Sequence, residues 1–209
     1  GQRIGTEGYG WIPRYYVGEK IGYVLGDASN AYGKVISKSW LARAKKEEVS
    51  FSPEAGWDDV KLKTFRRHIV ELGKTGFTFI YDELEAEEPV TWSYLLHTVT
   101  NPMNVNMVNE FVHVQATSKN GISDAYLLGS DELKTDTTSH FFTPATNWLR
   151  ADDKGNFKKY PNHWHFTATS GKHKVYRFVT IIHTHINKTT PDKPFSIPQR
   201  LKDGSIKMG

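Results

Sequence analysis

The chain contains no cysteine. Disulfides, thiolate metal sites and Cys nucleophile chemistry are therefore excluded. No apolar run approaches the roughly 18 residues that a membrane-spanning helix needs, so no membrane span is expected. A basic stripe is missing too. The net charge of +4 comes from 27 basic and 23 acidic residues scattered along 209 positions, and Lys45-Lys46 meets Glu47-Glu48 at once. No nucleic-acid partner is expected from such a pattern, although it is compatible with weak affinity for a polyanion. The chain holds no P-loop, no dinucleotide fingerprint and no Gly-x-Ser-x-Gly elbow. No long stretch carries helical periodicity. The first residues are Gly1-Gln2-Arg3, without Met. The expectation is a fragment excised from a larger protein, with Gly1 a cleavage scar.

What is abundant is aromatic: six Trp and ten Tyr. Such residues fill sandwich cores and pleated surfaces, and they also make sugar-binding faces. The stretch from Thr64 to Thr98 reads TFRRHIVELGKTGFTFIYDELEAEEPVTWSYLLHT. Phe65, Arg67, Ile69 and Glu71 share one face of a strand; Arg66, His68, Val70 and Leu72 share the other. Gly73-Lys74-Thr75-Gly76 turns the chain, and Phe77 to Tyr81 returns. A third run, Thr91 to Leu96, follows an acidic, Pro-containing connection. Ser118-Lys119-Asn120-Gly121 marks another hairpin, between Phe111–Ala116 and Ser123–Leu128. His163–Thr169 and Lys174–Ile186 read as strands joined at Ser170-Gly171-Lys172. Residues 1 to 18 read as an extended segment or loop, Thr100–Asn109 as irregular, Asp131–Thr138 as a polar loop, Arg150–Pro161 as a charged loop, the tail from Asn187 as linker or edge structure, Ser52–Trp57 as a loop, and Trp40–Glu48 as a short helix or loop. Strands recur with turns between them. The predicted fold is all-β, an antiparallel β-sandwich with long irregular loops. It is read as one unit over 1–209, with a sub-boundary allowed near 100–110.

Several groups are candidates for chemistry. His163 with His165, and His183 with His185, each place two imidazoles on one strand face. Two such pairs on neighbouring strands could hold a metal ion. Spacing alone fixes no further ligand, so surface histidines near a turn are the favoured reading and no metal is assigned. His68 between Arg66 and Arg67 has the make-up of a general base beside cations. The favoured reading is a buried or interfacial His, with Arg67 on the opposite face and Arg66 beside it. Asp82, Glu83, Glu85, Glu87 and Glu88 could supply paired carboxylates, but read better as a solvated connection. Asp152-Asp153-Lys154-Gly155-Asn156 lacks the spacing and closing Glu of a calcium loop.

The run YYVGEKIGYVLGDASNAY from Tyr15 to Tyr32, then the RRH strand, the FIYDEL return and WSYLLHT, occur in this order. Together they resemble the C-terminal β-rich part of the heparinase II/III-like polysaccharide lyases, most strongly over about 14–98. The resemblance implies a parent with an N-terminal helical toroid and an upstream sandwich part. It implies β-elimination at a uronic acid of an acidic polysaccharide of the glycosaminoglycan type, and a periplasmic or secreted location. Catalytic and zinc groups of that family belong to a His-x-His, an Asp and a His-Asn motif, which this order of motifs places before Gly1. No catalytic residue and no cofactor is therefore carried onto this chain, and zinc is expected upstream if anywhere. The expected role is structural, bracing the catalytic half. Arg14, Tyr15, Tyr16, Arg66 and Arg67 are the candidates for touching sulfate or carboxylate. Two other readings stand beside it: a stand-alone carbohydrate-binding module, and a small metalloenzyme built on the two His-x-His pairs.

Overall fold

The structure, a computed structural model, describes residues 8–32, 38–46, 61–99, 101–139, 150–151, 154, 157–158, 163–186 and 197–208. In chain order the elements are β1 (Trp11–Val17), β2 (Gly22–Asp27), helix α1 (Lys38–Lys46), β3 (Leu62–Glu71), β4 (Phe77–Thr98), β5 (Asn104–Val108), β6 (Phe111–Thr117) and β7 (Gly121–Gly129). They continue with β8 (Lys134–Thr138), β9 (Arg150–Ala151), β10 (Phe157–Lys158), β11 (Trp164–Ile186), β12 (Gln199–Arg200) and β13 (Ile206–Lys207). Nine strands form one antiparallel network in the order β1-β2-β3-β4-β11-β7-β6-β5, with β8 also on β11.

The sandwich is made by two strands that serve both layers. β4 has 22 residues and β11 has 23. They pair along nearly their whole length, through register shifts between Thr169 and Lys172 and between His173 and Val175. Glu87, Glu88 and Pro89 lie exposed at the bend of β4. Pro89 has no N–H to offer a ladder, which suits a bulge. Buried parity survives the bend: Asp82, Leu84 and Ala86 face inward before it, Trp92 and Tyr94 after it. The first half of β4 and the last half of β11 belong to the large layer with β1–β3 and β5–β7. The remaining halves and β8 form the small layer. Leu84, Val112, Ala125, Leu127, Tyr176 and Phe178 from the large layer pack in one cluster with Trp92, Tyr94, Phe166 and Ala168 from the small one. That cluster draws residues from both sides of 100–110.

Side-chain hydrogen bonds hold the bend. The Trp92 N–H donates to Ser170 Oγ at 3.0 Å, and Trp92 Nε1 donates to the His173 carbonyl at 3.0 Å. The Tyr176 hydroxyl and His173 Nε2 each meet one oxygen of the Asp131 carboxylate, both at 2.6 Å. Across the other face of the large layer, Phe111, Tyr126 and Ile181 form a second, smaller cluster. Ile206 and Met208, from the short C-terminal hairpin of β12 and β13, pack against it.

All-β antiparallel architecture is thus observed, with α1 as the one α-helix among the described residues. Four local expectations are corrected. The acidic connection at Asp82–Glu88 is not a solvated loop but the interior of β4, because its alternate residues Asp82, Leu84 and Ala86 are buried. Ser170-Gly171-Lys172 is not a turn between strands but a bulge within β11. Thr100–Asn109 and Asp131–Thr138 contain the strands β5 and β8. Both are edge strands: β8 is wholly polar and recruited by backbone pairing, whereas β5 packs Val105 against the core. The extended reading of residues 1 to 18 holds over β1, an edge strand with a register shift between Trp11 and Arg14. The Ser52–Trp57 loop, most of Arg150–Pro161 with its aspartates, and the tail over 187–196 lie outside the described residues.

The β3–β4 hairpin turns through Gly73–Thr75 and Gly76. Gly76 has φ +75, and a Cβ there would collide with the Thr184 carbonyl oxygen. Its own carbonyl accepts from Thr184 N–H at 2.9 Å, so this turn is locked onto β11. No described helix is long and apolar enough to cross a membrane.

Candidate functional site

Strand alternation sorts the five candidate contact residues onto two faces. Arg14 pairs with Leu25, Tyr15 with Val24 and Tyr16 with Tyr23 across β1 and β2. Leu25 pairs with His68, and Val24 with Ile69. Arg14, Tyr16, Arg66 and His68 therefore share the outer face of the large layer. Tyr15 and Arg67 share the inner face. Arg14, Tyr15 and Tyr16 are all exposed, on the free edge of the sheet.

The outer face carries a connected polar and aromatic row. Tyr23 pairs with Val70, and His68 with Tyr81. The Tyr23 hydroxyl meets His68 Nδ1 at 2.9 Å, and His68 Nε2 meets Glu83 Oε2 at 3.2 Å. A Tyr23 hydroxyl donating to Nδ1, with Nε2–H donating to Glu83, satisfies both ring nitrogens. The Tyr23 and His68 rings lie 6.1 Å apart, and those of His68 and Tyr81 5.6 Å. Arg66 Nε donates to Asp27 Oδ2 at 2.9 Å. Burial pushes the Asp27 carboxyl up, but hydrogen bonds from Ser29 and Arg66 outweigh it and hold it below the usual range. Asp27 is sealed, whereas half of the Arg66 side chain faces solvent.

Arg67 works inward. Its Nε and Nη2 grip the two oxygens of Asp82 at 2.7 and 2.8 Å. Asp82 is fully buried. The same guanidinium sits over the Tyr94 ring, 5.2 Å from its centroid. β3 and both halves of β4, hence both layers, meet at this one group. Tyr32, Phe65, Trp92 and Phe178 help to line a cavity of about 310 Å³ beside the pair. The Asp82 hydrogen bond is the main reason Arg67 holds its proton more tightly than usual.

The histidine pairs do not converge. Both lie on or beside β11, not on neighbouring strands. His165 pairs with His97 in the small layer, ring centroids 4.6 Å apart. His183 and His185 stack at 5.0 Å on the outer face of the large layer. Among the described residues no group of three or more such side chains is arranged to hold a metal ion. His185 instead joins a hub that the sequence reading missed. Asp124 accepts from His113 Nε2 at 2.8 Å, Gln115 Nε2 at 2.9 Å and His185 Nε2 at 3.2 Å. Burial pushes this carboxyl up, but the three donors prevail and hold it at about 2. The parity of β6 and β7 could have hinted at this hub, but pairing His113 with Asp124 requires the register.

No family model matches this chain, and no curated protein matches it. Solved structures do. The chain superposes on the heparan sulfate lyase HepC of Pedobacter heparinus with a TM-score of 0.51 and 12% identity, covering 94% of this chain and 24% of that one. Against a heparinase III structure the TM-score is 0.54 at 13% identity, covering 95% and 26%. A further heparinase III gene product gives 0.53 at 10%, again covering 95% and 26%. The chain thus spans about a quarter of the length of these structures. At such identities the likeness is one of fold, and the fold is that of a portion of the heparinase III lyases.

Proposed function

We propose that this chain is the C-terminal sandwich of a heparinase-like polysaccharide lyase, inactive alone, which braces a catalytic half and lines part of its substrate cleft. The supporting observation is the superposition of 94% of this chain on a quarter of a heparan sulfate lyase. The parent acts on an acidic polysaccharide by β-elimination at uronic acid, in the periplasm or outside the cell, with any zinc held upstream of this chain. Arg67, committed to Asp82 and Tyr94, ties the two layers of the brace together. Incubating the purified chain at high concentration with heparan sulfate and following ultraviolet absorbance of unsaturated uronate tests the inactive role. No turnover is expected; sustained turnover refutes it. The same assay on a longer polypeptide that includes the upstream region is expected to show turnover.

A second reading is a stand-alone carbohydrate-binding module. The exposed Tyr9, Trp11, Tyr15 and Tyr16 favour it. Full glycan affinity in the isolated chain, unchanged when upstream sequence is restored, would select it.

A further inference from the structure

We propose that the outer face of β1–β4 is a glycan platform, with the rings of Tyr16, Tyr23, His68 and Tyr81 as its floor and Arg14 and Arg66 as its charged rim. This deepens the acidic-polysaccharide reading and rests on it. The row crosses four adjacent strands. Tyr16 lies directly opposite Tyr23, and His68 directly opposite Tyr81. Three inter-strand spacings give it a length of roughly 14 Å, room for a short run of sugar rings. The two end rings are open to solvent, Tyr16 at 61% and Tyr81 at 39%. The two middle rings are half-buried and fixed by the Tyr23–His68–Glu83 hydrogen bonds.

Tyr16 is preorganised by its neighbour. A Cβ on Gly18 would meet the Tyr16 ring at 2.7 Å. The ring therefore lies down along the strand over Gly18 and turns its other face to water. An aromatic face held flat in this way stacks on the C–H face of a sugar with little ordering cost.

The two flanks of the row differ in chemistry. Arg14, opposite Leu25, and Arg66, opposite Asp27, lie on one side. Val70, opposite Phe79, lies on the other. Both acids near the row are engaged, Asp27 sealed beneath Arg66 and Glu83 bonded to His68. Glu83 keeps 30% of its side chain exposed, but the guanidiniums of Arg14 and Arg66, with that of Arg177 opposite Glu83, outnumber it on this flank. Arg66 spends its Nε on Asp27, which leaves its Nη edge for a carboxylate or sulfate. An acidic sugar chain matches this arrangement: apolar ring faces on the tyrosines, anionic groups along the arginine rim. Tyr15, on the opposite face, and Arg67, gripped by Asp82, have no place in it.

The test is titration of the full chain with heparan sulfate oligosaccharides by calorimetry. The variants Tyr16→Ala, Tyr81→Ala and Arg14→Ala are compared with Met107→Ala, a control exposed on β5 at the opposite edge of the sheet. Far-UV circular dichroism and sedimentation are run on each. Each of the first three is expected to weaken binding about fivefold or more, with Met107→Ala near wild type. Binding by wild type that Tyr16→Ala and Tyr81→Ala leave intact overturns the platform while the polysaccharide reading stands. A change in oligomeric state in Tyr16→Ala, with no change in glycan affinity, overturns it in favour of a protein interface. Absence of binding by wild type also overturns it; the lyase reading is then judged separately by turnover in the longer polypeptide.

Discussion

The Arg67–Asp82 pair predicts an asymmetry between its two halves. Asp82 is buried with 1% of its side chain exposed, whereas 41% of the Arg67 side chain reaches solvent. Replacing Arg67 by Met keeps the stem but strands a carboxylate inside the sandwich. Breaking a buried pair from one side costs about 3–5 kcal/mol. Water can enter from the exposed side of Arg67, so the lower end, about 3 kcal/mol, applies. Replacing Asp82 by Asn removes the charge and leaves an arginine that can turn to water, which costs about 1–2 kcal/mol. The double change Arg67→Met with Asp82→Leu leaves neither charge behind, and is expected to cost less than Arg67→Met alone. Urea unfolding monitored by tryptophan fluorescence measures all three, and in thermal unfolding Arg67→Met should melt roughly 9 °C below wild type. Asp82→Asn as damaging as Arg67→Met, or a double variant worse than both, would refute a buried charge as the dominant cost.

The Asp124 hub predicts a pH dependence. Its folded pKa is lowered from 3.8 to about 2, so its contribution is present above about pH 4 and fades as pH falls towards 2. That difference corresponds to about 2 kcal/mol. Asp124→Asn should therefore lose about that much at pH 7 in urea unfolding, and the gap to wild type should close below pH 4; a pH-independent gap would contradict the hub. Ser170→Ala leaves the Trp92 N–H without its hydroxyl partner in the core, at a cost of about 1–3 kcal/mol, which hydrogen exchange at Trp92 would register as faster opening. Gly76→Ala combines a positive φ with a collision against Thr184. It is expected to cost about 2 kcal/mol or more; a melting temperature equal to wild type would show that the turn relaxes freely.

The hairpins of this fold were readable locally. Gly73–Gly76 and Asn120-Gly121 sit where the structure turns, and the parity that separates Arg66 and His68 from Arg67 is the parity observed. The bends were not readable. Glu87-Glu88-Pro89 and Ser170-Gly171-Lys172 carry the same residue types that end strands, and only the cross-strand partner distinguishes an ending from a bulge. β8 carries no apolar residue, so only the neighbouring backbone identifies it; β5 carries the alternation Asn104-Val105-Asn106-Met107, masked by its asparagines. The same limit applies to the outer face. Arg14, Tyr16 and Arg66 were visible as residue types. Their association with Tyr23, Tyr81, Asp27 and Glu83 depends on register, which no single strand encodes.

Because β4 and β11 run through both layers, the sandwich has no seam along which its halves could part. One inserted residue before the bend of β4 would exchange inside for outside in every position downstream, burying Ser93 and His97 and expelling Trp92 and Tyr94. The two layers are therefore expected to form and melt as one body. Whatever rests on one broad surface is thereby joined to the other by two continuous strands.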